Sequence, residues 1–108
     1  MIKVFLTRRV RAENYERVMG LLTDLRAVAL HQPGYVTGET VVRGEDPIEV
    51  LAIGTWLAEE HWQAWSTSKE RLEIEDMIAP LLTGEPKAVV YRVPLGNSLS
   101  FLSRQRDN

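Results

Sequence analysis

The centre of the chain, residues 33–65, reads PGYVTGETVVRGEDPIEVLAIGTWLAEEHWQAW, and its spacing decides the fold. Tyr35–Arg43 and Ile48–Trp56 predict two strands, separated by the turn signal Gly44-Glu45-Asp46-Pro47. So short a connection joins antiparallel neighbours, and the two strands therefore form a hairpin. A helix is expected to begin directly after them, near Ala58.

The chain before this hairpin predicts one strand and one helix. Residues 2–10 alternate with a period of two, which places Ile2, Val4, Leu6 and Val10 on one face and Lys3, Phe5, Thr7 and Arg9 on the other. From Ala12 to about Gln32 the apolar spacing becomes helical, at Tyr15, Val18, Leu22, Leu25 and Ala29. Pro33-Gly34 ends this helix.

The chain after the hairpin predicts a second helical segment and a last strand. The helix from Ala58 is expected to break around Ser66-Thr67-Ser68 and to continue over Lys69–Ile78. After a loop rich in Pro and Gly, Lys87–Val93 predicts the final strand. The order β-α-β-β-α-β predicts an α+β fold, a ferredoxin-like sandwich with two helical units on one face of an antiparallel sheet.

Two strands carry continuous apolar runs, Val50–Ile53 and Ala88–Tyr91, which are typical of strands buried on both faces. The helices cover one face only, and a chain of 108 residues buries only about 60–70% of its unfolded surface. A second copy is the simplest cover for the other face. The sequence therefore predicts a homodimer, with two sheets packed face to face about a twofold axis as a dimeric α+β barrel.

Length and composition predict one domain, residues 1–95, followed by a C-terminal tail, residues 96–108. The tail contains Leu99, Phe101 and Leu102, which predict either docking on the partner subunit or fraying. The chain has no cysteine, which excludes disulfides, thiolate nucleophiles and iron–sulfur clusters.

The charge pattern argues against nucleic acid and membranes as partners. The net charge is -2, and the nearest approach to a basic cluster, Arg8, Arg9 and Arg11, is interpreted as a solvated strand end. No apolar stretch approaches the roughly 20 residues that a bilayer-spanning helix needs. A cytoplasmic location is the default expectation.

The central stretch also resembles a known family. Pro33-Gly34-Tyr35, Gly38-Glu39-Thr40, Asp46-Pro47 and Thr55-Trp56 lead into Glu59-Glu60-His61-Trp62-Gln63-Ala64-Trp65. This pattern resembles the antibiotic biosynthesis monooxygenase family, over roughly residues 2–93. The resemblance implies a dimeric α+β barrel. The family that it resembles includes cofactor-independent monooxygenases that oxidise phenols to quinones, haem-degrading enzymes, and small proteins without known activity.

The haem-degrading branch is disfavoured by this sequence. Its site consists of an Asn near the end of the first strand, a Trp on the second helix and a His about ten residues later. Trp65 fills the Trp position, but Thr7 and Glu75 stand near the Asn and His positions. Without that His, the iron has no proximal imidazole.

The quinone-forming branch implies a pocket between helices and sheet, where an ionised aromatic substrate reacts with dioxygen without a cofactor or metal. This chemistry requires an apolar, water-shielded slot and polar groups that stabilise the phenolate. The predicted catalytic residues are Trp65, Thr7 and His61. The predicted substrate-binding residues are Trp62, Phe5, Tyr91, Arg9 and Arg92.

Each of these residues also has a structural interpretation. Trp62 and Trp65 fit core packing at helical spacing, and His61 fits a partly exposed surface position. The acidic set Glu70, Glu73, Glu75 and Asp76 is interpreted as a solvated helix face, not a metal site.

Two functions therefore stay open. The leading expectation is a monooxygenase that acts on an aromatic or polycyclic substrate. The alternative is a non-catalytic dimer, for small-hydrophobe binding or a stress response.

Overall fold

The computed structural model describes residues 1–94, and the predicted tail, residues 96–108, lies outside the described residues. The elements are β1 (Ile2–Val10), a 3-10 turn (Ala12–Asn14), α1 (Tyr15–Ala29), β2 (Tyr35–Arg43), β3 (Ile48–Trp56), α2 (Glu59–Ser66), α3 (Lys69–Ile78), a 3-10 turn (Ala79–Leu81) and β4 (Lys87–Arg92). The predicted α+β order is confirmed, including the break between α2 and α3.

The four strands form one antiparallel sheet in the order β2-β3-β1-β4. Leu6 at the centre of β1 pairs with Ala52 of β3 on one side and with Ala88 of β4 on the other. Paired residues of antiparallel strands project to the same side of a sheet. The even-numbered residues of β1 and their partners therefore form one side, called here the helix face. The odd-numbered residues and their partners form the other side, the open face.

The core lies between the helix face and the helices, in two clusters. The first cluster contains Ile2, Val4, Ala29, Trp56 and Trp65, and the second contains Val10, Val18, Val50 and Ile78. Both join β1 and β3 to α1, and each adds one further helix. The predicted helical spacing of α1 is consistent with this packing, because Val18 and Ala29 are its buried residues.

Local side-chain hydrogen bonds fix the break between α2 and α3. The hydroxyls of Ser66 and Thr67 donate to the Gln63 carbonyl at 2.9 and 3.1 Å, which ends α2. The Ser68 hydroxyl accepts from the Arg71 backbone N–H at 3.2 Å and caps the start of α3. The sequence Ser66-Thr67-Ser68 therefore stops one helix and starts the next.

An ion pair joins the end of β1 to the β2–β3 hairpin. The Arg11 side chain donates to Asp46 at 2.7 and 3.1 Å, and the Ala12 backbone N–H donates to the same carboxylate at 3.2 Å. These hydrogen bonds stabilise the charged carboxylate and lower the pKa of Asp46. On β3, hydrogen bonding to Arg43 likewise lowers the pKa of Glu49.

Across residues 1–94, none of the helices is both long enough and apolar enough to span a membrane.

Candidate functional site

A cavity of about 120 Å³ lies between the helix face and the helices, beside the first core cluster. Its floor is built from small residues, since Gly38 of β2 faces Gly54 of β3 and Ala52 is the next helix-face residue along β3. A Cβ on Gly38 would come within 2.5 Å of the Tyr35 hydroxyl, so a larger residue here would displace the Tyr35 side chain from the cavity wall. The cavity exists because these strand positions carry almost no side chain.

Aromatic side chains form one wall of the cavity. Trp62 and Trp65 of α2, Trp56 of β3 and Tyr35 of β2 all contribute to it. Trp56 meets Tyr35 edge to face at 5.3 Å between ring centroids and lies 6.1 Å from Trp62. Trp65 is only 4% exposed. Large rings held in fixed mutual contact make a rigid apolar surface on which a planar ligand can stack.

The cavity also has a charged end, built from Arg8 of β1 with Arg71 and Glu75 of α3. One guanidinium nitrogen of Arg8, Nη2, donates to both carboxylate oxygens of Glu75 at 2.9 Å. Arg71 Nη2 lies 2.6 Å from Glu75 Oε2, and the Arg71 guanidinium lies 5.3 Å from the centroid of the Trp62 ring. Arg8 and Arg71 both line the cavity.

The three side chains are largely shielded from water, at 2% exposure for Arg8, 13% for Arg71 and 16% for Glu75. Burial lowers the pKa of Arg71 from its ordinary value, and the negative charge of Glu75 partly offsets this shift. An arginine remains protonated in proteins. Two guanidinium groups and one carboxylate therefore give this end a net positive charge.

The cavity opens to solvent at the edge of the sheet. Its exposed wall residues, Arg26, Glu39 and Thr40, lie on α1 and on the edge strand β2. Arg26 Nη2 donates to the Gly38 carbonyl at 2.7 Å and so links α1 to β2 beside the opening. A ligand therefore has an entry path between α1 and β2.

The structure brings only two of the predicted site residues, Trp62 and Trp65, to this cavity. The expectation that Phe5, Thr7 and Arg9 share a slot with them needs correction, because odd-numbered residues of β1 lie on the open face. Tyr91 pairs with Lys3 on that same face, and its ring meets Phe5 at 5.2 Å. Because side chains alternate between the two faces along a strand, these side chains and the two tryptophans lie on opposite sides of the sheet.

Thr7 and Arg9 instead border a separate polar depression, together with Glu49, Thr83, Gly84, Glu85 and Lys87. Arg92 pairs with Ile2 on the edge strand β4, is exposed, and does not line the tryptophan cavity. The predicted grouping of Arg92 with Trp65 is therefore corrected as well.

His61 lies on α2 but does not line the cavity. Its ring packs on the loop after α1, where a Cβ on Gly34 would overlap it. Its Nδ1 is buried and has no hydrogen-bond partner within residues 1–94. The His61 side chain therefore packs the α1–β2 loop against α2 and does not take part in the cavity wall.

The charged end was missed by the sequence interpretation. Grouping Arg8 with Arg9 and Arg11 as a solvated strand end is wrong for Arg8, although Arg9 and Arg11 are exposed. The solvated-face interpretation is also wrong for Glu75, which Arg8 and Arg71 hold in the interior. One signal was available, because position 8 continues the apolar face of Ile2, Val4, Leu6 and Val10.

Metal-binding side chains do not gather at this site. Among residues 1–94, no group of three or more His, Cys, Asp or Glu side chains is placed to hold a metal ion.

The sequence matches no protein-family model and no curated protein. Solved structures do resemble it. An antibiotic biosynthesis monooxygenase aligns with a TM-score of 0.77 at 16% identity, over 87% of this chain and 99% of its own. A variant of SnoaB, a cofactor-independent oxygenase from Streptomyces nogalater, aligns with a TM-score of 0.72 at 14% identity, over 84% and 91%.

A conserved protein from Methanosarcina mazei Go1 aligns with a TM-score of 0.77 at 22% identity, covering 84% of this chain and 90% of its own. At these identities the likeness establishes the fold. The chain has the ferredoxin-like α+β fold of antibiotic biosynthesis monooxygenases, and the resemblance seen in the sequence is confirmed at that level.

Proposed function

We propose that this protein is a cofactor-independent monooxygenase that oxidises a small aromatic substrate with dioxygen in the cavity beside Trp62 and Trp65. The observation that carries the proposal is an apolar cavity with an aromatic wall, in a fold that SnoaB, described as a cofactor-independent oxygenase, also has. Trp62 and Trp65 stack against the ring and exclude water. The substrate itself supplies the electrons.

The proposed reaction balances without a further reductant. A phenol loses its O–H proton, and the electron-rich ring transfers electrons to dioxygen and forms a C–O bond at a ring carbon that carries hydrogen. Loss of water from this adduct leaves the quinone, so one phenol and one dioxygen give one quinone and one water. The protein provides an apolar site and a fixed ring orientation.

The size of the cavity suggests a single enclosed ring. An apolar cavity of about 150 Å³ in another protein binds benzene. The cavity here, at about 120 Å³, has room for a similar ring, and its opening at β2 leaves space for substituents or a further ring in solvent. Monocyclic phenols and hydroquinones are therefore the first substrates to test.

The test is oxygen uptake with a panel of monocyclic phenols and hydroquinones, with quinone measured by absorbance. We expect about one dioxygen consumed per quinone, and at least a tenfold loss of rate in Ala52→Leu, which fills the cavity floor. The matched control is Ala64→Leu, the same change at an exposed position of α2, which should keep the wild-type rate. Equal rates in both variants would contradict the proposal.

A non-catalytic binding function is the second candidate, and a specific observation favours it. The cavity wall contains no histidine within the described residues, and the nearby Glu75 is held by two arginines. Glu39 is a wall residue but lies at the solvent-exposed opening, so the enclosed part of the cavity has no free base among the described residues. This candidate predicts saturable ligand binding without oxygen uptake. Haem degradation stays disfavoured, because Glu75 is engaged in these ion pairs.

The open face supports the proposal of a homodimer. It carries Phe5, Val41, Leu51, Ile53, Val89 and Tyr91, of which Tyr91 is 58% exposed in the single chain. An apolar sheet face of this kind is unusual on a monomer. We propose that a second copy covers it, with the two sheets packed face to face.

A further inference from the structure

The buried cluster of Arg8, Arg71 and Glu75 does not balance its own charge. Two guanidinium groups share one carboxylate, and Arg8 is the most deeply buried of the three at 2% exposure. A buried charge without a counter-charge is costly, because the interior solvates ions far less well than water does. The cluster therefore has one positive charge that a negative partner would neutralise.

Arg8 also has unused hydrogen-bonding capacity. A guanidinium carries five N–H donors, and Nη2 of Arg8 makes both hydrogen bonds to Glu75. The Nε–H of Arg8 is buried and has no acceptor among residues 1–94. Buried donors in proteins are nearly always paired, so this unpaired donor shows that Arg8, which lines the cavity, has hydrogen-bonding capacity left for a ligand.

The charged end and the aromatic wall belong to the same cavity. Arg71 lies over the Trp62 ring, while Trp65 and Arg8 line the same space from α2 and β1. A planar ring against the tryptophans with an anionic oxygen toward Arg8 would use both features. Charge-assisted hydrogen bonds from arginine to such an oxygen are among the stronger ones in proteins.

We propose that the cavity selects ligands with an anionic oxygen on an aromatic ring, as a carboxylate or an ionised phenol, and that Arg8 is the residue that determines this specificity. Arg71 supports it as the second cation, and Glu75 is a positioning residue that holds both guanidinium groups. This inference rests on the proposed function in using the same cavity and adds the charge state of the substrate.

A purely structural role for the cluster makes a different prediction. Replacing buried ion pairs by apolar side chains is often neutral or stabilising in other proteins. Stability alone therefore does not explain why two arginines and a glutamate occupy this interior position. If the cluster has only a structural role, the cavity should bind a charged ligand and a neutral ligand of the same shape equally well.

The experiment compares the binding of benzoate and benzamide to the full chain by quenching of tryptophan fluorescence, since Trp56, Trp62 and Trp65 all line the cavity. We expect benzoate to bind the wild-type protein at least about ten times more tightly than benzamide. Arg8→Met should remove this preference, and Arg8→Lys, which keeps the charge, should retain part of it. The control Arg17→Met, at an exposed position of α1, should leave it unchanged.

Equal affinities for benzoate and benzamide in the wild-type protein would overturn the inference, and this comparison holds even if Arg8→Met does not fold. A preference that survives in folded Arg8→Met would overturn the role of Arg8. A second arm measures 4-cyanophenol above and below its pKa. Tighter binding of the ionised form supports recognition of any anionic oxygen, whereas a preference confined to benzoate supports a carboxylate site.

The two proposals fail separately. Benzoate binding requires no dioxygen, so an Arg8-dependent preference without oxygen uptake on any phenol would support this inference and contradict the monooxygenase. Oxygen uptake together with equal affinities for benzoate and benzamide would support the monooxygenase and contradict this inference.

Discussion

Glu75 is the residue on which the buried charges depend, because it forms ion pairs with both Arg8 and Arg71. In Glu75→Gln the carboxylate is lost and two guanidinium groups remain in the interior. We expect the free energy of unfolding to fall by about 3 kcal/mol, the size of effect seen when one partner of a buried ion pair is removed. Urea unfolding, followed by circular dichroism, measures this change.

Glu73→Gln is the matched control for that variant. Glu73 lies on the same helix, is 64% exposed and forms an i,i+4 pair with Lys69 at 3.9 Å. Such surface pairs contribute about 0.3–0.5 kcal/mol. A loss at Glu75→Gln no larger than the loss at Glu73→Gln would show that the cluster is not an interior ion pair.

Arg8 also shows how far residue patterns predict the site. The alternation of β1 assigns position 8 to the helix face, yet the neighbouring Arg9 and Arg11 make the segment look like a solvated end. Whether Arg8 is buried or solvated depends on its ion-pair partner Glu75, which is 67 residues away along the chain. A partner at that distance leaves no local signal, so the buried ion pair was not predicted.

The elements themselves were well predicted, because their signals are local. Periods of two and 3.6 fixed the strands and helices, and Ser66-Thr67-Ser68 marked the break between α2 and α3. The cavity floor was not predicted, because Gly38 and Gly54 matter only as a pair. Their pairing depends on the register of the β2–β3 hairpin, which includes an irregularity between Tyr35 and Thr37.

The contact between Gly34 of the α1–β2 loop and His61 of α2 is predicted to contribute to the stability of the fold. Gly34 has φ +82°, and a Cβ there would overlap the His61 ring. Gly34→Ala should therefore cost more than about 2 kcal/mol of unfolding free energy, from backbone strain together with the clash. Thermal and urea unfolding of the purified variant measure the loss.

A double-mutant cycle separates the two causes. In a His61→Ala background the clash is gone, and Gly34→Ala should cost only the backbone part, about 1 kcal/mol. Fully additive losses would mean that the His61 ring does not pack on Gly34.

At the scale of the whole molecule, the sheet separates two roles. The helix face holds the cavity. The open face carries apolar residues on all four strands, and those on β2 and β4 are exposed, at Val41, Val89 and Tyr91. The proposed dimer would bury the open face and leave the entry between α1 and β2 accessible. The function then belongs to each subunit, while the partner adds buried apolar area to a small domain.

Leu51→Glu tests this arrangement, since Leu51 lies near the centre of the open face between Thr7 and Val41. We expect a dimer for the wild-type protein and a folded monomer for the variant, because a carboxylate is tolerated on a solvated sheet face but not in an apolar interface. Size-exclusion chromatography with light scattering measures the mass. Leu72→Glu, at a 46% exposed position of α3, is the control that should stay dimeric.

The proposed functional site is the cavity on the helix face. It is tested most directly by mapping amide and indole shifts in a ¹H–¹⁵N NMR titration with benzoate. We expect the largest shifts on the cavity wall, at the Trp62 and Trp65 indoles and the Gly54 amide. Shifts concentrated around Thr7 and Lys87 on the open face, with the tryptophan indoles unmoved, would contradict it.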